Sequence, residues 1–298
     1  MKKFTKFNIT LLPVGVILII VGGIITGVCE DVFGMDLSIG SDDRIEYEET
    51  TYEIAEVIEG GYDGENTITF TADESSSLTG LDIDVKAGTF YVTAGNNLSI
   101  ETYGIKKDDL DYSIKDGILN VKYAPGFKLV DFSFDDMQIN IVVPQKIYEN
   151  VNFEVKAGEL DVRDLSAEKC TLDFTAGDSS FSNVMISEHS DIKISAGDCN
   201  FFNCTLNDPD IKMTAGYMFF GTSRLLGSSD IKMTAGSMYI NLSGTAEDYN
   251  FNIDKTAGNI EIDGNDSAQN ITNQGAINTI NISLTAGDCI VGFEDEDY

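Results

Sequence analysis

Apolar and polar positions alternate around a recurring Ala-Gly pair at eight places, with Gly at 88, 158, 177, 197, 216, 236, 258 and 287. The copies read apolar, any, apolar, polar, Ala, Gly, any, apolar, any, apolar, as in DIKISAGDCNF, DIKMTAGYMFF and DIKMTAGSMYI. Counted from the Gly, minus five and minus three hold pairs such as Ile83/Val85, Phe153/Val155, Leu172/Phe174, Ile192/Ile194, Ile211/Met213, Ile231/Met233 and Ile282/Leu284. Plus two and plus four hold Phe90/Val92, Leu160/Val162, Cys199/Phe201, Met218/Phe220 and their equivalents. A period of two puts these side chains on one face of a strand, whereas a helix needs three-and-four spacing. From Gly158 to Gly258 successive glycines lie 19, 20, 19, 20 and 22 residues apart. A near-constant period of this size marks a solenoid whose units bury their apolar face only against neighbouring copies. The Ala-Gly pair predicts a tight corner, a small inward side chain followed by a residue free to take unusual φ/ψ. The Gly258 copy has Lys255 at minus three and a longer spacing, which predicts a bulge or irregular corner.

The outward columns are ordered too. Asp191, Asp210 and Asp230 share minus six, while Lys193, Lys212 and Lys232 share minus four, predicting two like-charged columns side by side that compensate each other on a solvated face. Inside, Phe181, Phe201 and Phe220 share one column and predict an aromatic stack in the core. Residues 66–150 are less regular. ITFTA, LDIDVKA, FYVTA, LSIET, ILNVKYA, FKLVDFSF and MQINIVVP alternate well between turn signals at Gly95-Asn96, Lys106 to Asp109, Asp116-Gly117 and Pro125-Gly126. They predict wider coils or hairpins that continue the same sheets and cap the amino-terminal end. The expected fold class is all-β, a single-stranded β-solenoid with seven or eight regular turns of about 20 residues, preceded by one transmembrane helix.

That helix is read from Ile9 to Val28, an uncharged run preceded by Lys2, Lys3 and Lys6 and followed by Glu30 and Asp31. Its 20 residues cover about 30 Å, the hydrocarbon thickness. The charge asymmetry predicts a signal anchor with a cytoplasmic amino terminus and an extracellular remainder. The run is long for a cleavable signal peptide and no A-x-A-like site follows it. Val28 stands before Cys29 where a lipid-attachment motif needs a small residue. The domain reading is a cytoplasmic tail (1–8), the anchor (9–28), an acidic stalk (29–65), the β-solenoid (66–293) and an acidic tail (294–298). The tail is expected to blunt the last open edge of the stack.

Composition narrows the partners. The net charge of -31 comes from 50 acidic and 19 basic residues, so nucleic acid is excluded, because phosphate contacts demand a basic surface. Folded parts should also stand away from anionic lipid heads. The single histidine, His189, lies in the corner sequence SEHSD and reads as an exposed loop residue. Cys170, Cys199, Cys204 and Cys289 form no C-x-x-C pair and read as buried apolar fillers. Cys199 and Cys289 share a column, but three intervening coils put them about 19 Å apart, beyond disulfide reach. A polysaccharide-cleaving solenoid needs acids clustered with basic residues, and the three arginines, Arg44, Arg163 and Arg224, are scattered. Asp178, Asp198 and Asp288 follow corner glycines, but one Asp per coil cannot supply the six to eight oxygens of a calcium site. No catalytic, cofactor-binding or metal residue is assigned, and no cofactor is expected.

The passage from 139 to 181, INIVVPQKIYENVNFEVKAGELDVRDLSAEKCTLDFTAGDSSF, is an apolar strand ending in Pro followed by successive [ST]-A-G-[DE] coils. It resembles the putative adhesin family of bacterial envelope proteins, a domain of unknown function, and the resemblance spans roughly residues 66 to 293. What it implies is an extracytoplasmic β-solenoid, found in surface-anchored proteins and beside envelope-stress systems of Gram-positive bacteria, with no catalytic residues to transfer. The functional expectation is a membrane-anchored, non-enzymatic interaction or adhesion module whose partners are envelope proteins, cell-wall polymer or a host surface. The alternative is an accessory or sensor of an envelope-stress response.

Overall fold

The computed structural model describes residues 66–294 apart from 106, 125–136 and 267–268. The expected anchor, cytoplasmic tail, stalk, residues 295–298 of the acidic tail, the Pro125-Gly126 turn and the FKLVDFSF strand all lie outside the described residues. Among the described residues no helix is long and apolar enough to cross a membrane.

One coil shows how the alternation builds the whole. In the Gly197 coil the chain runs along Met185–Ile194, bends through Ser195, Ala196 and Gly197, runs along Asp198–Phe202, and turns at Asn203 into the next coil. Strands before the Ala-Gly bend stack into one sheet, the corner-entry sheet, and strands after it stack into a second, the corner-exit sheet. In both, consecutive coils pair in parallel: Leu172, Ile192 and Ile211 are in register, as are Phe181, Phe201 and Phe220. The inward columns named above are at most 3% exposed, apart from the Gly258 coil's entry strand. Phe181 stacks on Phe201 at 4.9 Å and Phe201 on Phe220 at 4.6 Å, near parallel at 14° and 8°. Such ring pairs add about 0.5–1.5 kcal/mol beyond burial.

Why the corner must be Gly is visible in its contacts. Each corner Gly has a positive φ, from +92° at Gly258 to +119° at Gly158 and Gly197. A Cβ on Gly197 would overlap the carbonyl oxygen of Gly177, and the same holds for Gly158 on Gly88 and for Gly177, Gly216, Gly236, Gly287 and Gly258 on the corner Gly of the coil beneath. That carbonyl is the one that accepts the amide following the next corner, as Tyr217 N–H to Gly197 O at 3.1 Å and Ser237 N–H to Gly216 O at 3.0 Å. Glycine is therefore required twice, for its dihedral and for the close approach of backbone to backbone.

The glycine column also corrects the spatial order of the coils. Gly258 lies against Gly287, and Gly287 against Gly236, so the chain builds the outermost coil before the one beneath it. Ser228–Met233 pairs with Asn278–Leu284, which in turn pairs with Tyr249–Lys255. At the amino-terminal end, Gly80–Val85 sits between Ile118–Tyr123 and Ile147–Val155 rather than outside them. Three expectations change as a result. The Gly258 coil is the edge of the stack, and its register with the Gly287 coil is unbroken, so its corner carries no bulge. Lys255 is accommodated at this end and pairs with Asp266 at 3.6 Å. The edge is covered by the chain's return, where Asn273 Nδ2 donates to the carbonyls of Ala246 and Tyr249 at 2.8 Å and Ile271 bridges Phe251, so the acidic tail does not leave from the outermost coil. Cys199 and Cys289 have two coils between them, not three, about 14 Å at the cross-β spacing.

The amino-terminal end combines the wider coils and the hairpins that the irregular alternation predicts: Gly80–Val85 and Thr89–Gly95 pair in parallel with Ile118–Tyr123 and Gln138–Pro144, and antiparallel strands complete it. Leu110–Lys115 and Ile118–Tyr123 form a hairpin through Asp116 and Gly117, both at positive φ, and Ser99–Tyr103 pairs antiparallel with Gln138–Pro144 and with Asn66–Thr69. The ITFTA strand ends at Thr69, because Thr71 and Glu74 form a capping box that starts the short helix Ala72–Ser77. The unit is otherwise strand-dominated.

Substituting Gly197→Ala is expected to cost more than about 3 kcal/mol, since dihedral strain and overlap with Gly177 act together. Gly264→Ala, at φ +70° with nothing within 4 Å of its Cβ, should cost about 1 kcal/mol or less. Thermal unfolding of the two variants side by side checks this difference.

Candidate interaction surface

Parity decides what each outward column shows, because residues between the buried positions must face solvent. On the corner-entry sheet the expected charge columns are present: Asp191, Asp210 and Asp230 are in register, as are Lys193, Lys212 and Lys232. Pairing runs along the strand in two of the coils, with Lys193 Nζ 2.7 Å from Asp191 and Lys212 Nζ 2.8 Å from Asp210, whereas Asp230 accepts from Asn281 Nδ2 of the neighbouring coil at 2.9 Å. These half-exposed pairs compensate the columns and add little stability. A shallow recess of about 210 Å³ lies at the end of this sheet, bordered by Lys232, Asn252, Asp254, Asn270 and Asn281.

The corner-exit sheet differs, and here sequence reasoning missed the main feature. Its outward rows carry aromatics: Asn200, Phe219, Tyr239, Ile290 and Glu261 are in register in one, and Asp198, Tyr217, Ser237, Asp288 and Asn259 in the next. Phe202 lies in a third row, in register with Ser182 on one side and Gly221 on the other. Phe202 and Phe219 lie 5.5 Å apart at 53°, and Tyr217 and Tyr239 lie 5.6 Å apart at 38°. Phe202 is 44% exposed, unusual for a ring of its size. A Cβ on Gly221 would press on the rings of Phe219 and Phe202, so glycine there lets both rings lie over the strand. The signal was the break in alternation, since CNFFN and GYMFFG place aromatics at both parities and only one parity points inward.

A second corner was also missed. Asp164, Asn183, Asn203 and Thr222 all have positive φ six residues after a corner Gly. Asn203 Nδ2 donates to Asn183 Oδ1 at 2.7 Å, and Asn183 Nδ2 donates to Asp164 Oδ1 at 2.9 Å, a side-chain ladder along the turn. Asn and Asp adopt this left-handed conformation with less cost than other side chains, which makes their spacing readable.

The remaining expected positions are simply placed. His189 lies on the strand Met185–Ile194, exposed, with Nδ1 2.6 Å from the Asp208 carbonyl oxygen, so it is a strand residue and not a loop residue. Arg163 forks onto Asp161 at 2.8 and 2.6 Å. Cys170, Cys199, Cys204 and Cys289 are buried and free. Burial pushes the thiols of Cys170, Cys199 and Cys289 up to about 12 and that of Cys204 to about 11. Asp178 and Asp198 are in register, whereas Asp288 lies beyond Tyr217 and Ser237, so the three corner acids do not converge. Among the described residues no group of three metal-ligating side chains comes together. Burial first, then the neighbouring Asp178 carboxylate, raises the Asp198 carboxyl above its ordinary value.

Coils in parallel register around one continuous core define a β-solenoid domain of repeated structural units. Residues 103–291 match the Toastrack DUF4097 family, and the chain belongs to that family. The resemblance to adhesin-type envelope domains read from the repeats agrees with this assignment. Similar solved structures include a putative cell adhesion protein from Clostridium sporogenes, at 10% identity and TM-score 0.37, covering 78% of this chain and 99% of that one. Another is a putative adhesin from Bacteroides fragilis, at 12% identity and TM-score 0.32, covering 77% of this chain and 98% of that one. No curated protein matches the sequence.

Two outcomes follow from the titratable groups. Iodoacetamide should leave Cys170, Cys199, Cys204 and Cys289 unlabelled in the native chain and label all four in denaturant, read by peptide mass spectrometry. Because the folded-state value of Asp198 lies above the unfolded one, its ionisation opposes folding, and stability falls as pH rises through the window between the two values. Asp198→Asn should therefore raise the melting temperature at neutral pH and leave it unchanged below the ordinary carboxylate range.

Proposed function

We propose that this chain is a single-pass surface protein, amino terminus inside and solenoid outside, whose folded part works by contact and not by catalysis. The observation that carries the reading is the outward aromatic band on the corner-exit sheet. Phe202, exposed, and the partly exposed Phe219, Tyr217 and Tyr239 contribute less to the core than the inward Phe column does, whereas rings of this kind dominate contact surfaces. Contact is also the use to which a rigid stack lends itself, since its rows repeat in fixed register and present side chains at regular intervals. The partner classes are cell-wall polymer, another envelope protein or a host surface. The acidic surface argues against nucleic acid.

Displaying the full chain on a host cell that lacks it tests both halves of the reading. External protease should remove a solenoid epitope from intact cells, and the cells should gain adherence to isolated walls, matrix or other cells. A solenoid protected from external protease, or display with no gain in adherence to any of these surfaces, would overturn the proposal.

A further inference from the structure

We propose that the recess at the end of the corner-entry sheet seats one neutral sugar ring, held by hydrogen bonds with Lys232, Asp254 and the side chains between and beside them. The site lies on the other sheet from the aromatic band, so it goes beyond the contact role above and does not rest on it. It arises where the charge ladder of that sheet breaks. In the two coils beneath, Lys193 and Lys212 each hold the aspartate two residues back. In the third, Asp230 belongs to an amide ladder instead: Asn252 Nδ2 donates to Asn281 Oδ1 at 2.7 Å, and Asn281 Nδ2 donates to Asp230 Oδ1 at 2.9 Å. Among the described residues Lys232 makes no ion pair.

Register sets this ammonium across from a carboxylate. Lys232, Ser283 and Asp254 share one outward row, so the two charges flank a short hydroxyl side chain across two strand spacings, about 9.6 Å. They form no ion pair with each other, and the recess of about 210 Å³ lies over Ser283 between them. Asn270 of the returning segment closes the end. Its Oδ1 accepts the Ile253 amide at 2.7 Å, which leaves its Nδ2 to donate, while Asn252, with Nδ2 committed to Asn281, keeps Oδ1 as an acceptor. The border therefore offers donors at Lys232 and Asn270, acceptors at Asp254 and Asn252, and at Ser283 a group that does both. Sugar hydroxyls also do both, and a ring carries several of them in different directions. A ligand of one charge meets its like on one side, since Asp254 repels an anion and Lys232 a cation. A zwitterion would use the two charges and leave Asn252, Asn270 and Ser283 idle. The volume lies below the about 300–1,000 Å³ of drug-sized pockets, which limits the occupant to about one ring.

The test is saturation-transfer NMR on the full chain in a sugar-free detergent, with the methyl glycosides of glucose, galactose, mannose and N-acetylglucosamine. Glucuronate, glucosamine and 4-aminobutyrate serve as the anionic, cationic and zwitterionic comparators. At least one glycoside should bind with a Kd of about 1 mM, the strength that a few exposed hydrogen bonds supply. Ser283→Leu, which fills the recess and keeps both charges, should abolish the signal. Lys232→Met and Asp254→Ala should each weaken binding roughly tenfold. Lys193→Met, which removes a lysine outside the recess, should leave it unchanged. All four positions face outward, so circular dichroism should match wild type; should Ser283→Leu differ, Lys232→Met and Asp254→Ala decide. Binding of no glycoside, or equal binding in wild type and the three recess variants, would overturn the assignment. So would tighter binding of 4-aminobutyrate, which would make the opposed charges the recognised feature, or of glucuronate or glucosamine, which would make the site one for a single charge. A chain that binds no glycoside while displayed cells adhere loses this site and keeps the contact role; cells that adhere to nothing overturn the contact role and not this site.

Discussion

Backbone meeting backbone at the Ala-Gly corner is the constraint from which the rest of this structure follows. Each corner carbonyl accepts the amide of the coil above, and it can be reached only because the overlying residue carries no Cβ. Successive coils are thereby held in one register, and register in a parallel stack turns any repeated residue into a column. The core columns, the phenylalanine stack, the aspartate and lysine rows and the aromatic band are all consequences of that alignment. A one-residue slip at a single corner would exchange inside and outside for the whole strand that follows.

The unit was legible because its chemistry is strict. Alternation with a period of two around Phe201 or Ile192, and a small residue followed by Gly at fixed spacing, admit few other folds; the apolar columns two and four residues after the Gly and three and five before it are buried outside the Gly258 coil's entry strand, while of the corner alanines only Ala87 and Ala215 are buried. The order of the units was not legible. Coils with the same inward columns present nearly equivalent faces to any neighbour, so nothing local distinguishes the Gly258 coil followed by Gly287 from the reverse. What decides it is the ending. Lys255 at an inward position is tolerable only where one side of the coil is open, and the following segment holds Asn270 and Asn273, which can serve the open backbone groups of a terminal strand. Read together, a charge in a core column and an asparagine-rich return are the physical signature of an edge coil.

The same reasoning explains why the aromatic band was overlooked. Aromatics in a repeat protein fit the core so well that assigning Phe201 and Phe220 to the inward stack leaves their neighbours Phe202 and Phe219 without a role of their own. Only parity separates them, since neighbouring residues on a strand cannot share a face. The histidine misplacement has a related cause. SEHSD is polar enough to suggest a loop, yet a long strand in this stack has a solvated outer face that accepts such residues without breaking the pairing.

Inner and outer aromatics also differ in what they can do for the fold. Phe201 lies between two parallel rings and is 2% exposed, so its contribution is complete once the stack has formed. Phe202 keeps 44% of its surface in water and touches Phe219 at a tilt, leaving apolar area whose removal from water would release roughly 25 cal/mol per Å². Stability is therefore satisfied by one parity and held in reserve at the other. Ile147, Met185 and Tyr112 are also exposed among the described residues, so what sets the corner-exit sheet apart is the gathering of rings in adjacent coils, with Phe202 keeping apolar area that contact would bury. That asymmetry lies in the side chains and not in the solenoid, which supplies only the regular spacing that makes a continuous band of them.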